Sequence, residues 1–220
     1  MQILDGKVLS DKIKADLKEK IPGIKSQYGR VPGLATVLVG NDDASKVYVG
    51  MKVKSCEAIG MKSFSYPMKE ETTIEELKSL IRELNSNDEI DGILVQLPLP
   101  KHLKQYTDEV LDLIDPMKDV DGFGLVATGL LQRGVETYAS CTPKGMIKLL
   151  EANNIDIEGK EVVIINRTNV IGKPLLFLFL NRNATVTVCH SRTKNIEFHT
   201  KRADILAVGV GKLNFIKADM

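Results

Sequence analysis

The chain has 220 residues, 43% of them apolar, and its 30 basic side chains nearly balance 29 acidic ones, leaving a formal charge of +1. That size and composition suit one large or two small globular domains, and without a basic excess there is no basis for a nucleic-acid partner held through its phosphates. The longest apolar run, residues 175–180, is far too short to cross a bilayer, and MQILDGKVLSDKIK lacks the apolar centre of a secretory leader, so no membrane association is expected. Cys56, Cys141 and Cys189 stand apart without CxxC spacing, and His102, His190 and His199 form no HExxH. Neither a disulfide nor a metal is therefore expected, and a reduced, cytoplasmic setting is the simplest reading.

Residues 7–27 read as an amphipathic helix, with Val8, Ile13, Leu17 and Ile21 near helical spacing. GLATVLVG (33–40) is a continuous apolar run bounded by glycine, as a strand buried on both faces requires. Asp42 or Asp43 can cap a helix reaching Gly60, followed by a strand at 62–68, a helix at 73–86 capped by Thr72 or Thr73, and a strand at 91–96. This β-α-β-α-β order predicts a mostly parallel sheet with helices on both faces. LPLPKHL and IDPMKDVDGFG are Pro- and Gly-rich, and read as loops carrying function or a hinge. A second series begins at CTPKG, where Thr142 can cap a helix with Pro143 at its first position. A strand at 161–165, a helix from Lys173, and strands at 185–189 and 203–208 follow. The expected fold is therefore α/β with two αβα domains, residues 1–138 and 139–220, the second of Rossmann type.

The turn NRTNVIGKP lies between an apolar strand and an apolar helix, a seat for a dinucleotide pyrophosphate on a helix N-terminus. The full G-x-G-x-x-G is absent, with Gly172 the remaining close-packing glycine, and a plain structural turn fits the same spacing. The following strand ends in His190, Ser191 and Arg192, where an NAD site usually carries a carboxylate. Hydroxyl and cationic donors there, with Arg167 in the turn, suit a 2′-phosphate and favour NADP over NAD. A solvated loop is the alternative for HSRT, above all for Arg192.

In the first half, Ser45, Tyr48 and Lys52 share one helix face. Tyr48 offers a ring to stack on a flat heterocycle and a phenol to hydrogen-bond. Lys52 offers a proton that becomes movable if burial or a neighbour favours the uncharged amine, although such a pair is also common surface decoration. Gln96 stands at the C-terminal end of a strand, where ligands of parallel sheets bind, and DVDGF adds Asp119 and Asp121, residues that also serve as ordinary turn formers.

Taken together, VGNDDASKVYVGMKVKSCEAIG, DGILVQLPLP, IDPMKDVDGF, CTPKG, RTNVIGKP and NRNATVTVCHSRT run in order over nearly the whole chain. They resemble the bifunctional methylenetetrahydrofolate dehydrogenase/methenyltetrahydrofolate cyclohydrolase family. The resemblance implies that Tyr48 stacks on the folate ring system, Lys52 is the catalytic lysine, Gln96 lies beside it and Asp121 binds the pterin, with Leu97 and Pro98 bordering the substrate. It implies NADP contacts from Arg167, Thr168 and Ser191, grouped with Asn166, Gly172, His190 and Arg192, and places Thr142 at the domain junction near the cofactor. It also implies a metal-free homodimer that binds one-carbon derivatives of tetrahydrofolate in a cleft between its domains. Three departures qualify these expectations. Asn166 stands where the family usually has glycine, Gly124 and Ala127 stand where it usually has histidine and asparagine, and relatives continue past Met220 with a glycine-rich segment and a final helix. The chain is therefore expected to be a truncated or reduced form, with exposed apolar surface near Leu4, Leu9 and Ile13. Cyclohydrolase chemistry is expected to be better preserved than dehydrogenase chemistry. A monofunctional cyclohydrolase and a non-catalytic folate- or nucleotide-binding remnant are the competing readings.

Overall fold

The computed structural model describes residues 2–220. Its chain order is α1 (Gly6–Tyr28), β1 (Gly33–Val39), α2 (Asp43–Ile59), β2 (Lys62–Met68), α3 (Ile74–Ser86), β3 (Gly92–Val95), a 3-10 turn (Lys104–Tyr106) and α4 (Thr107–Asp112). It continues through α5 (Leu125–Gln132), α6 (Cys141–Ala152), β4 (Glu161–Ile165), α7 (Gly172–Leu180), β5 (Thr185–Cys189), α8 (Ile196–Thr200) and β6 (Ile205–Val208). Residues 6–126 form one compact unit, and 127–220 with the residues just ahead of Gly6 form the other. The division falls inside α5, ahead of the boundary expected at 138/139, because Leu131 and Ala139 are both buried in the second unit's core.

In the first unit the apolar run 33–39 is the central strand of a three-stranded parallel sheet ordered β2-β1-β3. Alternation divides its side chains between two layers. Ala35, Val37 and Val39 pack with Ile93, Val95 and the fully buried Leu77, Ile81 and Leu84 of α3. Burying each such aliphatic side chain contributes about 1.5–3 kcal/mol, so α3 is a rigid base for the sheet. Thr36 and Leu38 point to the opposite layer, where α2 buries Val49, Cys56 and Ile59, and α1 packs on α2. Ile13 and Leu17 of α1 remain about 40% exposed and only Ile21 is buried, so this helix is bound more loosely than its length suggests.

Local signals fix the element ends. Asp42 caps α2 by accepting from Ser45 N at 2.8 Å. Thr73 and Glu76 form a capping box at the start of α3. A parallel bridge between Ile93 and Asp119 extends the sheet beyond β3, with Ile93 N donating to Lys118 O at 2.7 Å. Gly92 permits this approach, since a Cβ there would meet the Val120 side chain at 2.5 Å.

The second unit repeats the plan as β5-β4-β6, again all parallel. Val162 and Ile164 face Ile147 of α6 and Leu175 and Leu178 of α7. Val163, Ile165 and Cys189 face the other way, toward Ile196, Val208 and Phe215. Ser140, not Thr142, occupies the N-cap of α6, and its hydroxyl donates to Val170 O at 2.6 Å instead of capping. Pro143 therefore lies in the first turn rather than at its first position, where its missing N–H still leaves no bond unmade. α4, α5 and α8 are short helices that the hydrophobic pattern did not reveal, and β3 and β6 are shorter than expected. No described helix is long and apolar enough to cross a membrane.

Asp91, just ahead of β3, accepts from both Arg30 terminal nitrogens, at 2.6 and 2.7 Å, and from Gly33 N at 2.8 Å. The Arg30 hydrogen bonds outweigh partial burial and hold the Asp91 carboxyl below its ordinary value of 3.8. A depressed carboxylate contributes its stability above the ordinary value, and that contribution is lost as pH falls through the folded value. Urea midpoints at pH 7 and pH 3 should therefore differ less in Asp91→Asn than in the wild type.

Candidate active site

The first candidate site lies at the C-terminal end of the first sheet. α2, seated on that sheet by Val49 and Cys56, carries Lys52 between them on its half-buried flank. Burial raises the Cys56 thiol above its ordinary value, which leaves it an inert packing group. Lys52 Nζ donates to Gln96 Oε1 at 3.0 Å. An ammonium can only donate, so the Gln96 amide must turn its oxygen to Lys52 and its nitrogen away. That nitrogen donates to Leu97 O at 2.8 Å, and the Gln96 backbone N donates to Val37 O at 2.9 Å. The glutamine is thus fixed at three points, and the Leu97–Pro98 bond that follows is cis.

Tyr48, one turn before Lys52 on the same flank, is 56% exposed, so its ring is accessible for stacking. Asp121 is half-buried in the loop after the Ile93–Asp119 bridge. Asp119 is instead 2% exposed and accepts from the N–H groups of Gly122, Phe123 and Gly124 at 3.0, 3.4 and 2.9 Å. Its carboxylate shapes the loop. Gly124, at the position where a histidine was expected, supplies one of these donors, and a Cβ there would meet Asp119 Oδ2 at 3.1 Å.

The second candidate site lies where β4 meets α7. A cavity of about 400 Å³ is lined by Asn166, Arg167, His190, Ser191 and Lys212, with apolar walls that include Ile196 and Phe215. Arg167, Ser191 and His190 thus line one cavity. Thr142, Thr168, Gly172 and Arg192 do not line this cavity. Thr168 and Gly172 serve the turn itself. Asn166 Oδ1 accepts from Thr168 N at 2.8 Å, Thr168 Oγ1 at 2.8 Å and Gly172 N at 3.1 Å, while Asn166 Nδ2 donates to Gly209 O at 2.6 Å. The asparagine therefore braces the turn with its amide, where a glycine was expected to leave open space. Gly172 is required by contact, because a Cβ there would lie 2.2 Å from the Asn166 carbonyl oxygen. Arg192 is exposed and acts through its backbone, donating its N–H to His190 Nδ1 at 3.1 Å. That bond assigns Nδ1 as acceptor and puts a ring proton on Nε2 when His190 is neutral. Lys212 is a lining residue that sequence reasoning missed. Its signal was the GVGK turn directly after β6, at a strand C-terminus like the others.

Comparison with known proteins gives these two sites a common context. Residues 4–121 match the model of the tetrahydrofolate dehydrogenase/cyclohydrolase catalytic domain, and residues 140–220 match that of the same family's NAD(P)-binding domain. The chain belongs to the tetrahydrofolate dehydrogenase/cyclohydrolase family. Within it, the chain is 49% identical over 220 residues to the bifunctional protein FolD of Nitratiruptor sp., covering 100% of this chain and 77% of that protein. It is 51% identical over 216 residues to FolD of Acetivibrio thermocellus, covering 98% and 75%. The crystal structure of the bifunctional FolD enzyme of Campylobacter jejuni superposes with a TM-score of 0.96 at 47% identity, covering 100% of this chain and 77% of that one. The FolD enzyme of Trypanosoma brucei, solved with NADP and an inhibitor, superposes with a TM-score of 0.90 at 32% identity, covering 96% and 72%.

Because the four hydrogen bonds of this one amide are half-buried or exposed, Asn166→Ala should destabilise the second unit by about 1 kcal/mol, the net worth of ordinary hydrogen bonds that water can partly replace. Denaturant unfolding followed by a probe in that unit checks this, with Gly172→Ala expected to do more damage through its backbone clash.

Proposed function

We propose that this protein is a bifunctional one-carbon folate enzyme. It oxidises 5,10-methylene-tetrahydrofolate to the 5,10-methenyl form with NADP, and hydrolyses the methenyl form to 10-formyl-tetrahydrofolate. The observation that carries the reading is the 3.0 Å bond from Lys52 to Gln96 beside the exposed Tyr48, in a chain 47% identical to a FolD enzyme named as a methylenetetrahydrofolate dehydrogenase/cyclohydrolase. The folate side takes Tyr48 as the stacking platform, Asp121 as the pterin partner, and Leu97 and Pro98 as the border following Gln96.

The cyclohydrolase step begins as water adds its oxygen to the methenyl carbon and loses a proton. The hydroxyl so formed then gives up its remaining proton to become the formyl C=O as the carbon–N5 bond breaks, its electron pair staying on N5, which takes up a proton. One proton is released overall, and the formyl group remains on N10. In this reading Lys52 moves these protons, and side chains in such roles typically supply about 10²–10⁴-fold. The Gln96 amide holds the lysine nitrogen at one point, so the proton is delivered along one direction.

For the redox step, bound NADP supplies the acceptor for the hydride that leaves the methylene bridge. The second unit's residues fit that group. The cavity lining holds the cations Arg167 and Lys212 and the Ser191 hydroxyl, and no carboxylate. Gly172 meanwhile keeps the turn at β4 tight enough to present the α7 N-terminus. Arg167 and Ser191 take the 2′-phosphate, and His190 lies beside them. Among the described residues no cluster of His, Cys, Asp or Glu is suited to a metal ion, and the proposed chemistry needs none. Family membership further supports a homodimer working in the cytoplasm.

Lys52→Met should lower hydrolysis of methenyl-tetrahydrofolate at least 10²-fold, read as the slowed loss of its near-ultraviolet absorbance, while the protein folds normally. Turnover near the wild-type rate would rule out Lys52 as the proton carrier. On the cofactor side, Arg167→Leu should weaken NADP binding by about tenfold or more and leave NAD little changed, as loss of a charge-assisted phosphate contact requires. Titration calorimetry with both dinucleotides reads this directly.

A further inference from the structure

Lys118 stands just ahead of the loop that carries Asp121, and its ammonium is fully committed. Lys118 Nζ donates to Leu84 O at 3.2 Å, Asn85 O at 2.7 Å and Asn87 O at 2.9 Å. Three N–H donors meet three carbonyls at the C-terminus of α3, where the last turn has no helical partners and the helix dipole favours a cation. The neighbouring Asn85 side chain joins the same pair of segments, donating to Leu113 O at 2.8 Å and accepting from Asp115 N at 2.9 Å. The Lys118 carbonyl meanwhile accepts from Ile93 N at 2.7 Å, in the strand that ends at Gln96. One residue thus links the end of α3, through its side chain, to β3, through its backbone.

Asp119 continues the link. It pairs in parallel with Ile93, and its buried carboxylate gathers the N–H groups of Gly122, Phe123 and Gly124. Gly122 N also donates to Asp119 O at 3.1 Å, closing a tight turn in which Asp121 is the third residue. Because the pairing is parallel with a fixed Ile93–Asp119 register, the chain runs from Asp119 toward the same end of the sheet that holds Gln96. An ordinary helix cap would need neither the second attachment to β3 nor a buried carboxylate next in sequence.

We propose that Lys118 and Asp119 are positioning residues which together fix Asp121 in register with Gln96, and so set folate affinity without touching the substrate. This rests on the reading of Asp121 as the pterin partner. The test compares the purified full chain with Lys118→Met, Lys118→Arg, Asp119→Asn and Arg30→Met. Arg30→Met is the control, because it breaks the Arg30–Asp91 pair at the opposite, N-terminal edge of the same sheet.

Lys118→Met and Asp119→Asn should each raise KM for methenyl-tetrahydrofolate about tenfold or more, as a small misplacement of a binding group does. KM for NADP should not change. Lys118→Arg should recover part of the loss, and Arg30→Met should lower the unfolding temperature while leaving the folate KM in place. If Lys118→Met does not fold, Asp119→Asn carries the same comparison without disturbing the α3 terminus. The proposal is overturned if these variants keep the wild-type folate KM, or if Arg30→Met raises it as much as they do. A wild-type protein that turns over neither folate would instead overturn the functional reading itself.

Discussion

Parallel pairing is the constraint on which the rest depends. When every strand of a sheet points the same way, each crossover must return the chain to the starting edge, and the polar ends of all the strands collect on the other. β1 and β3 share a register set by Leu34–Gly92 through Val37–Val95, so Gln96 emerges next to the end of β1. The helix that returns the chain from β1 to β2 is α2, which sets out from that edge and carries Lys52 within reach of Gln96. The 3.0 Å bond between Lys52 and Gln96 is therefore a consequence of topology, made between residues far apart in sequence. In the second unit the same geometry gathers Asn166, His190 and Gly209 at the ends of β4, β5 and β6.

Loops at such an edge face a recurring difficulty, because they leave the sheet and lose its hydrogen bonds while remaining partly out of water. Here the difficulty is met twice by a single side chain. Asp119 satisfies three successive backbone donors after β3, and Asn166 satisfies donors and an acceptor after β4. The choice of group follows the task. A carboxylate accepts only and suits a cluster of N–H groups, whereas an amide can accept from the turn and donate across to the next strand end. Residues that could be mistaken for reactive groups are thereby accounted for as scaffold, and Lys52, Tyr48 and Arg167 stand out as side chains with reach remaining.

The central strands β1 and β4 were readable because they are short unbroken apolar runs, and α2 and α3 because their first turns carry capping side chains. Residues 62–68, 161–165 and 185–189 form strands as read, and Pro67 is tolerated in the first because β2 is an edge strand. The short helices α4, α5 and α8 were not readable, because five to eight residues give too little periodicity and their position is set by tertiary packing. Thr142 illustrates another limit. A hydroxyl next to Pro143 looks like a cap, yet Ser140 two residues earlier is the one held, by a bond to Val170 that no local pattern encodes. In the sites, helix spacing and strand position drew notice to Lys52, Tyr48 and Gln96, but their roles came only from the family resemblance. Lys212 was missed despite the GVGK turn that marks it, because only the return of β6 beside β4 brings it to the cavity.

Asn166 shows how a departure from a family pattern can be read physically. A glycine at that position gives the turn conformational freedom and open space, but contributes no bond. An asparagine occupies space and must be placed somewhere. Its amide lies along the floor of the turn, tied to Thr168 and Gly172 on one side and to the Gly209 carbonyl on the other. The substitution thus exchanges flexibility for rigidity and couples the β4–α7 turn to the loop after β6. That loop also supplies Val210 and Lys212 to the cavity. A change at Asn166 should accordingly be felt on both walls of the nucleotide cavity, since the two walls share one hydrogen-bonded side chain.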